Sequence, residues 1–328
     1  LTVVDVNGNE NSCEATISVE GVIAEISISE EPLSVFCQGV ILTAESDVTV
    51  TYEWSTGEDS QSITVTENGT YSVTATSETG CETYVEYEVT SIIEGTPISE
   101  YAIYASNEVF LHGQNAVQSG GVGVGSSNGE IKLHQDSHIE DFGQATTFTL
   151  NQGSTIGEEL NEPANPILPE FIYNTLSSRN SESVTISSGD TQTLDGEVYD
   201  LVWVRSGATV IFSQPNVFVN RIKTSEGANI EFEGCSNVYI NDMFQLHKYG
   251  TLNANGNAVS FYVSNDIHIE KGSDVNAVLY ATGQILAKGS NVNSNNPEPT
   301  FMTGLFIANK VHGLNNVIWN AAVSCDPC

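Results

Sequence analysis

The chain has 328 residues, and its 42 Asp and Glu against 9 Lys and Arg give a formal net charge of −33. This acidity excludes nucleic acid as a natural partner, because phosphate binding requires clustered cations, and it argues against docking on an anionic membrane. No stretch approaches the roughly 18 apolar residues of a membrane span, so direct membrane insertion is not expected. An acidic surface fits an extracellular protein that must stay soluble, and it is compatible with bound Ca²⁺; no other cofactor is predicted.

The first predicted element, in residues 1–21, is a β-hairpin. Two alternating strands flank the Asn7-Gly8 dipeptide, which is typical of a tight hairpin turn. The sequence opens inside a strand-like run with no leader peptide, so we interpret these residues as the C-terminal part of a truncated repeat in a longer protein. The run D-V-N-G-N from Asp5 resembles part of a calcium loop but lacks its final Glu, which favours the hairpin.

Residues 22–93 contain six short runs that alternate apolar and polar side chains, separated by turn residues such as those around Gly57. Strands of this length and spacing predict an Ig-like β-sandwich. We expect Trp54 and Tyr71 to lie in its core.

Cysteines bracket this module. Cys37 and Cys81 predict an intramodule disulfide of the extracellular kind, and closing that loop would stabilise the fold by roughly 4 kcal/mol in the chain-entropy model. Cys13 has no partner in its own fragment, and we expect its partner to lie upstream of residue 1.

The tail 325–328 is a C-x-x-C motif formed by Cys325 and Cys328. It lacks the thioredoxin-like context of a redox motif and the second pair of a zinc site. We therefore predict a structural disulfide, either within the motif or with Cys235.

Residues 94–324 repeat a turn followed by a small or polar residue and then an apolar one, about every 21 residues. In the second half the turn glycines are Gly207, Gly227, Gly250, Gly272, Gly289 and Gly313. An earlier block repeats the pattern at Leu111-His112-Gly113, Leu133-His134-Gln135 and Leu150-Asn151-Gln152. A period of this size predicts a β-solenoid, in which each unit buries its apolar face against its neighbours. Prolines interrupt the pattern at 157–183, which we interpret as an excursion that caps the stack or covers one face.

The alternation within each run predicts which side chains fill the solenoid core. The inward residues are Val202, Val204, Val210, Phe212, Val217, Val219, Ile230, Phe232, Val238, Ile240, Val259, Phe261, Val263, Ile267 and Ile269. With strands about 4.8 Å apart, eight or nine rungs would form a rod of roughly 40 Å.

Several motifs resemble those of known surface proteins. The segments that resemble the Ig-like repeats of very long Bacteroidota surface adhesins are Cys37-Gln38-Gly39, Tyr52-Glu53-Trp54-Ser55-Thr56-Gly57, Gly69-Thr70-Tyr71-Ser72-Val73 and Thr79-Gly80-Cys81. The run from Asp5 to Cys13 is similar to the end of a hyalin-type repeat from such proteins. This resemblance implies a cell-surface location, type IX export and, for some members, a role in gliding motility.

A second resemblance covers most of residues 184–320. The segments that carry it are 188–194, 201–210 and 302–311, which resemble a bacterial surface β-helix family. It implies a right-handed, single-stack β-helix of cell-surface and pilus-associated proteins, without a common enzymatic activity.

No catalytic set is recognisable, so we predict no enzyme. A polysaccharide hydrolase needs two or three carboxylates facing one groove, and a lyase needs a Lys or Arg base beside clustered carboxylates. Arg221 and Lys223 fall on alternate positions of one strand, whereas the nearby carboxylates are spread over later rungs: Asp242, Asp266, Glu270 and Asp274.

All six histidines lie in the predicted solenoid. His112, His134 and His312 occupy similar positions near a turn, which is compatible with a transition-metal site and equally with polar residues stacked in register. His134 and His138 are four residues apart on strand or turn, so they need not share a face. The metal assignment stays open.

We therefore expect a non-enzymatic cell-surface adhesin segment, in which Ig-like spacers present a β-helix that attaches to a surface, a glycan or a protein. One alternative is an assembly module that docks on an outer-membrane export or motility complex. Another is a polysaccharide-active β-helix enzyme. Ice binding, which some β-solenoids perform, requires regular Thr arrays, and the Thr residues here are scattered.

Overall fold

The computed structural model describes residues 2–4, 6–12, 24–34, 36–93, 95–174, 181–291 and 297–323. Within them the regular elements are β-strands and one 3₁₀ turn at Ile98–Glu100, which confirms the all-β prediction. Across the same residues there is no helix with the length and apolarity that a membrane crossing requires.

The predicted N-terminal hairpin is present. Strands β1 (Thr2–Val4) and β2 (Glu10–Ser12) pair antiparallel. Gly8 has φ +82° in the connecting turn, a left-handed conformation that glycine adopts without steric cost.

Six strands follow and build two antiparallel sheets. They are β3 (Ile26–Pro32), β4 (Val40–Ser46), β5 (Val50–Trp54), β6 (Ser62–Val65), β7 (Gly69–Ser77) and β8 (Glu82–Val89). Strands β3, β4 and β6 form one sheet, and β5, β7 and β8 form the other. Leu42 and Ile63 of the first sheet share one apolar core with Trp54 and Val73 of the second, and Tyr71 packs against it, as predicted for Trp54 and Tyr71. The Ig-like topology itself stays a prediction.

The chain divides into two compact units, Leu1–Pro32 with Gly39–Ile92 and Leu33–Gln38 with Ile93–Cys328. The predicted disulfide between Cys37 and Cys81 is wrong, because Cys81 carries a free thiol. The physical reason is that Cys37 belongs to a short segment that packs with the second unit, whereas Cys81 lies just before β8 in the first.

Cys37 and Cys235 are both disulfide-bonded. The predictions for Cys13, Cys325 and Cys328 lie outside the described residues.

The second unit contains the remaining strands. They are β9 (Thr96–Pro97), β10 (Tyr101–His112), β11 (Ala116–Ser119), β12 (Gly121–Val124), β13 (Glu130–His134), β14 (His138–Gln144), β15 (Thr147–Leu150), β16 (Thr155–Leu160), β17 (Pro166–Ile167), β18 (Glu182–Ile186), β19 (Thr191–Leu194), β20 (Val198–Val204), β21 (Thr209–Phe212), β22 (Asn216–Thr224), β23 (Asn229–Phe232), β24 (Ser236–Ile240), β25 (Phe244–Leu246), β26 (Thr251–Leu252), β27 (Val259–Val263), β28 (Ile267–Ile269), β29 (Asp274–Ala281), β30 (Gln284–Lys288), β31 (Thr300–Leu314) and β32 (Val317–Ala321). Strands β9 and β17 pair with each other, and the others form one 22-stranded sheet. This sheet winds into a β-solenoid of about ten turns.

The solenoid core follows the predicted alternation. Every residue predicted to face inward lies in one continuous apolar cluster, in which side chains such as Val202 and Phe261 have no exposed area. Gly207 and Gly227 occupy left-handed corners at φ +66° and +69°, as predicted for turn glycines. Gly313 is an exception, because it pairs with Leu111 inside a strand and fills an inward position beside the Leu111 side chain.

The order of the rungs along the axis differs from their order in the chain. Strand β10 pairs with β13 on one side and with β31 on the other, and β11 likewise lies between β14 and β32. The block of residues 101–160 is therefore stacked beyond the last rung of the block 182–321. We call the junction of β10 and β11 with β31 and β32 the seam.

Strand β16 lies at one end of the stack and β18 at the other, so the chain that connects them must run back along the whole second block. The excursion predicted at 157–183 is described up to residue 174, and we call residues 161–174 the strap. Ala164 donates its backbone N–H to β12 at 2.9 Å. The Phe171 ring packs edge-on against tyrosines of β29 and β27, with ring centroids 5.0 and 5.9 Å apart. Asn174 lies against backbone carbonyls of β22 and β24, still further along the stack.

Candidate functional site

One outer face of the solenoid is built from ten paired strands: β18, β20, β22, β25, β28, β30, β31, β10, β13 and β15. The middle of this face is a single column of outward side chains in register, Thr185, Trp203, Lys223, Gln245, His268, Leu286, His312, Phe110, Lys132 and Thr149. They point outward because their neighbours in each strand are the buried core residues, and successive side chains on a strand alternate.

The cations of the protein concentrate on this face. Of the nine Lys and Arg residues, Arg179 lies outside the described residues. The other eight lie on this face or at the corner that directly follows it: Lys132, Arg205, Arg221, Lys223, Lys248, Lys271, Lys288 and Lys310. We call it the basic face. The other described surfaces carry no Lys or Arg, whereas on the basic face the cations lie among carboxylates such as Glu108, Asp242 and Glu270.

Histidines follow the same distribution. Those on or beside the basic face are His112, His134, His247, His268 and His312. His112 and His134 pair in register, as their similar positions predicted. His312 pairs instead with Phe110, two positions before His112 in β10, so it lies in the neighbouring column of outward side chains. His138 lies in β14 on another face, so it does not join His134. No three His, Cys, Asp or Glu side chains of the described chain are grouped to hold a metal ion.

At one end of the basic face, Lys132 joins two rungs. Its Nζ lies 2.8 Å from a Glu108 oxygen and 3.0 Å from a Glu130 oxygen, and His312 Nε2 lies 2.9 Å from the other Glu108 oxygen. The hydrogen bond from Lys132 lowers the pKa of Glu108, and the Thr149 hydroxyl followed by Lys132 lowers that of Glu130. Hydrogen bonds to both glutamates raise the pKa of Lys132, so this lysine stays charged at neutral pH and is unsuited to act as a base.

The carboxylates considered for catalysis do not converge. Asp242 pairs with Arg221 at 2.5 Å, and Glu270 pairs with Lys288 at 3.3 Å. Asp266 accepts a hydrogen bond at 2.8 Å from the backbone N–H of Gln284 in the next rung. Asp274 pairs with β26 on a different face, where burial raises its pKa. These groups do not form the paired acid and base of a hydrolase.

At the other end of the face, Trp203 lies beside two cations that have no ion-pair partner among the described residues. The Arg205 guanidinium lies 4.3 Å from the indole centroid, and Lys223 Nζ lies 5.3 Å from it. Both cations are exposed and the indole is half-buried. Cation–π attraction therefore holds two charges against a solvent-accessible ring.

A polar cleft of about 500 Å³ adjoins these residues. Its lining is Asp200, Leu201, Asn220, Arg221, Asn241 and Asp242. The Asn241 amide donates to Asn220 at 3.1 Å, and the Asn220 amide donates to Asp200 at 3.0 Å, so the three side chains form a ladder across successive rungs. Leu201 and Arg221 precede Trp203 and Lys223 by two positions in their strands, which places the cleft beside the ring.

Sequence reasoning missed the basic face, although a signal was present. Basic residues and histidines recur one or two positions before the turn glycines, as at Arg205, Lys271, Lys288 and His112. Because turns align from rung to rung, a residue at a constant offset from the turn must form a column.

Comparison with known proteins gives little further information. No family model and no curated protein matches the chain. Among solved structures, the pectate lyase PelI from Erwinia chrysanthemi, in complex with tetragalacturonic acid, aligns with 90% of this chain over 91% of its own. The identity is 11% and the TM-score is 0.15, so this likeness carries no argument about function.

Proposed function

We propose that the protein is an extracellular, non-enzymatic segment of a very large Bacteroidota cell-surface adhesin of the gliding-motility type. Ig-like units present a right-handed, single-stack β-helix, and the basic face of that β-helix attaches to its ligand. The resemblances in residues 1–92 and 184–320 support the family, and the acidic composition fits an exported protein.

The observation that carries the attachment role is the basic face. A protein of net charge −33 gains no solubility from collecting its few cations in one place, and these cations line a face about ten rungs long. Outward side chains stack in register along the whole face, which suits an extended ligand better than a small molecule. Binding is favoured over cleavage because Asp242 and Glu270 are ion-paired and Lys132 stays protonated.

The test incubates the full chain with a polysaccharide panel and with intact cell surfaces, in calcium and in chelator. Retardation in affinity gels and new chain ends are both recorded. We expect retention that weakens with salt, since exposed charges are screened, and no new chain ends. New chain ends would make the protein an enzyme, and the absence of binding to every polysaccharide and every cell surface would contradict the attachment role.

A further inference from the structure

We propose that the ligand of the basic face is an acidic glycan, a sugar chain that carries carboxylates, and that Trp203, Arg205 and Lys223 form the subsite that holds it. This inference rests on the proposed attachment function and adds the chemical class of its ligand.

The first argument is the availability of the two cations. Arg221 and Lys288 already have carboxylate partners at 2.5 and 3.3 Å, whereas Arg205 and Lys223 have none among the described residues. An exposed cation without an internal partner can form a charge-assisted hydrogen bond to a ligand carboxylate without first breaking an ion pair. Both cations are held beside Trp203, so less side-chain freedom is lost on binding.

The second argument is the indole. Trp203 is a large aromatic ring on the outer surface of the stack, with Val202 and Val204 filling the core on either side. The face of an aromatic ring is electronegative and attracts the weakly positive C–H groups that line one side of a sugar ring. A carboxylate-bearing sugar can contact the ring and the cations together, whereas an acidic peptide contacts only the cations.

The third argument is the adjoining cleft of about 500 Å³. Asp200, Asn220 and Asn241 lie at successive rungs, where the amides of the two asparagines can donate to and accept from hydroxyls and the Asp200 carboxylate can accept from them. A chain that stacks one sugar on Trp203 can therefore place hydroxyls of the next sugar in this cleft. Lys248, exposed at the corner one rung beyond Lys223, extends the positive charge in the other direction.

The experiment measures affinity of the full chain by titration calorimetry in calcium-free buffer. The probes are alginate as a polyuronate, dextran as a neutral glycan and poly-L-glutamate as an acidic peptide. The variants are Arg205→Gln with Lys223→Gln, Trp203→Ala and Trp203→Phe. Thr51→Glu with Thr64→Glu is the matched control, because it makes the net charge more negative by the same two units at exposed strand positions of the first unit, which is not part of the basic face. Thermal melting checks that each variant is folded.

We expect alginate binding that the double variant weakens at least tenfold, an estimate of about one decade per lost charged hydrogen bond. Trp203→Ala should weaken alginate binding by about threefold or more beyond any loss of poly-L-glutamate binding, and Trp203→Phe should restore part of this difference. Thr51→Glu with Thr64→Glu should change affinity by less than about twofold, since exposed charges outside the binding surface are screened.

Equal binding of dextran and alginate would overturn the inference. It would also be overturned if poly-L-glutamate bound as tightly as alginate and Trp203→Ala had no specific effect on alginate binding. Alginate binding that none of the subsite variants weakens would overturn this subsite and leave the attachment function standing. Retention on cell surfaces without alginate binding would likewise remove only the ligand class, whereas no retention on any surface would remove the attachment function itself.

Discussion

One buried side chain at the seam links residues 101–160 to the last rung of residues 182–321, in addition to the backbone pairing of β10 with β31 and of β11 with β32. Asn115 is fully buried, and its amide donates to the backbone oxygens of His112 at 2.9 Å and Gly313 at 3.2 Å. Its carboxamide oxygen accepts from Trp319 Nε1 at 3.2 Å. Asn115 thus ties two blocks that are about 200 residues apart in the chain.

Asn115→Ala would leave one buried group across the seam without a partner, the Trp319 indole N–H, since the Gly313 carbonyl also lies in the ladder between β10 and β31. At roughly 1–3 kcal/mol for an unsatisfied buried group, we expect a loss of about 2 kcal/mol at the seam. This is roughly a thirtyfold increase in the local opening constant. Since β10 and β11 are held to β31 and β32 there, the opening should expose both partners together.

Amide hydrogen exchange by mass spectrometry tests this expectation. In the variant, peptides from residues 101–119 and 300–321 should exchange much faster, whereas those from 198–240 should not change. Asn253→Ala is the matched control, because Asn253 is also fully buried and its amide donates to the backbone oxygens of Asn257 and Asn276 at 2.7 and 2.6 Å within the second block. Equal effects of the two variants on the seam peptides would refute the stacking order.

Four further predictions follow from single contacts. Phe171→Ala should destabilise the strap by about 1–2 kcal/mol through lost ring contacts, and should speed proteolysis between β16 and β18 without changing the solenoid's circular dichroism. The pKa of Glu108 lies below its ordinary value of 4.5, so as the pH falls the unfolded chain binds the proton first. Stability must therefore fall as the pH drops through the folded pKa. Lys132→Met removes the hydrogen bond that lowers this pKa and should flatten the decline of Tm between about pH 6 and pH 3. A Cβ at Gly121 would lie 2.1 Å from a neighbouring aromatic ring, so Gly121→Ala should cost about 1–3 kcal/mol in denaturant unfolding. Cys81 should react with a maleimide in the native, unreduced protein, whereas Cys37 and Cys235 should not, as read by peptide mass spectrometry.

Much of the solenoid could be predicted from the sequence because its rungs obey local rules. Alternation in a strand assigns each side chain to the inside or outside, and the turn residues set the register between rungs. Leu111, Leu133 and Leu150 pair in register as their common motif predicts. These inferences need only the residues of one rung and its neighbour in the chain.

The order of the blocks could not be predicted in this way. The edge of β10 offers the same apolar alternation as any other rung, so no local pattern states that it follows β31. What distinguishes this junction is the buried contact between Asn115 and Trp319, and its partners are identifiable only once the fold is known. The wrong pairing of Cys37 with Cys81 has a related cause, because sequence proximity to the first unit concealed the packing of Leu33–Gln38 with the second.

The basic face was missed for a different reason. Its cations are few in composition, and only their common offset from the turns reveals that they lie together. Trp203 shows the same point. Its flanking residues Val202 and Val204 were correctly placed in the core, which by alternation puts the ring outside, where it lies near Arg205 and Lys223.

The most direct test of the basic face as the attachment surface is hydroxyl-radical footprinting of the full chain with and without bound ligand. Trp203 and Phe110 report on the basic face, and Phe301, which is 41% exposed on another face, is the internal control. We predict that ligand protects Trp203, with or without Phe110, and leaves Phe301 unchanged. Protection of Phe301 with Trp203 still reactive would show that the protein binds through a different face and would contradict the account.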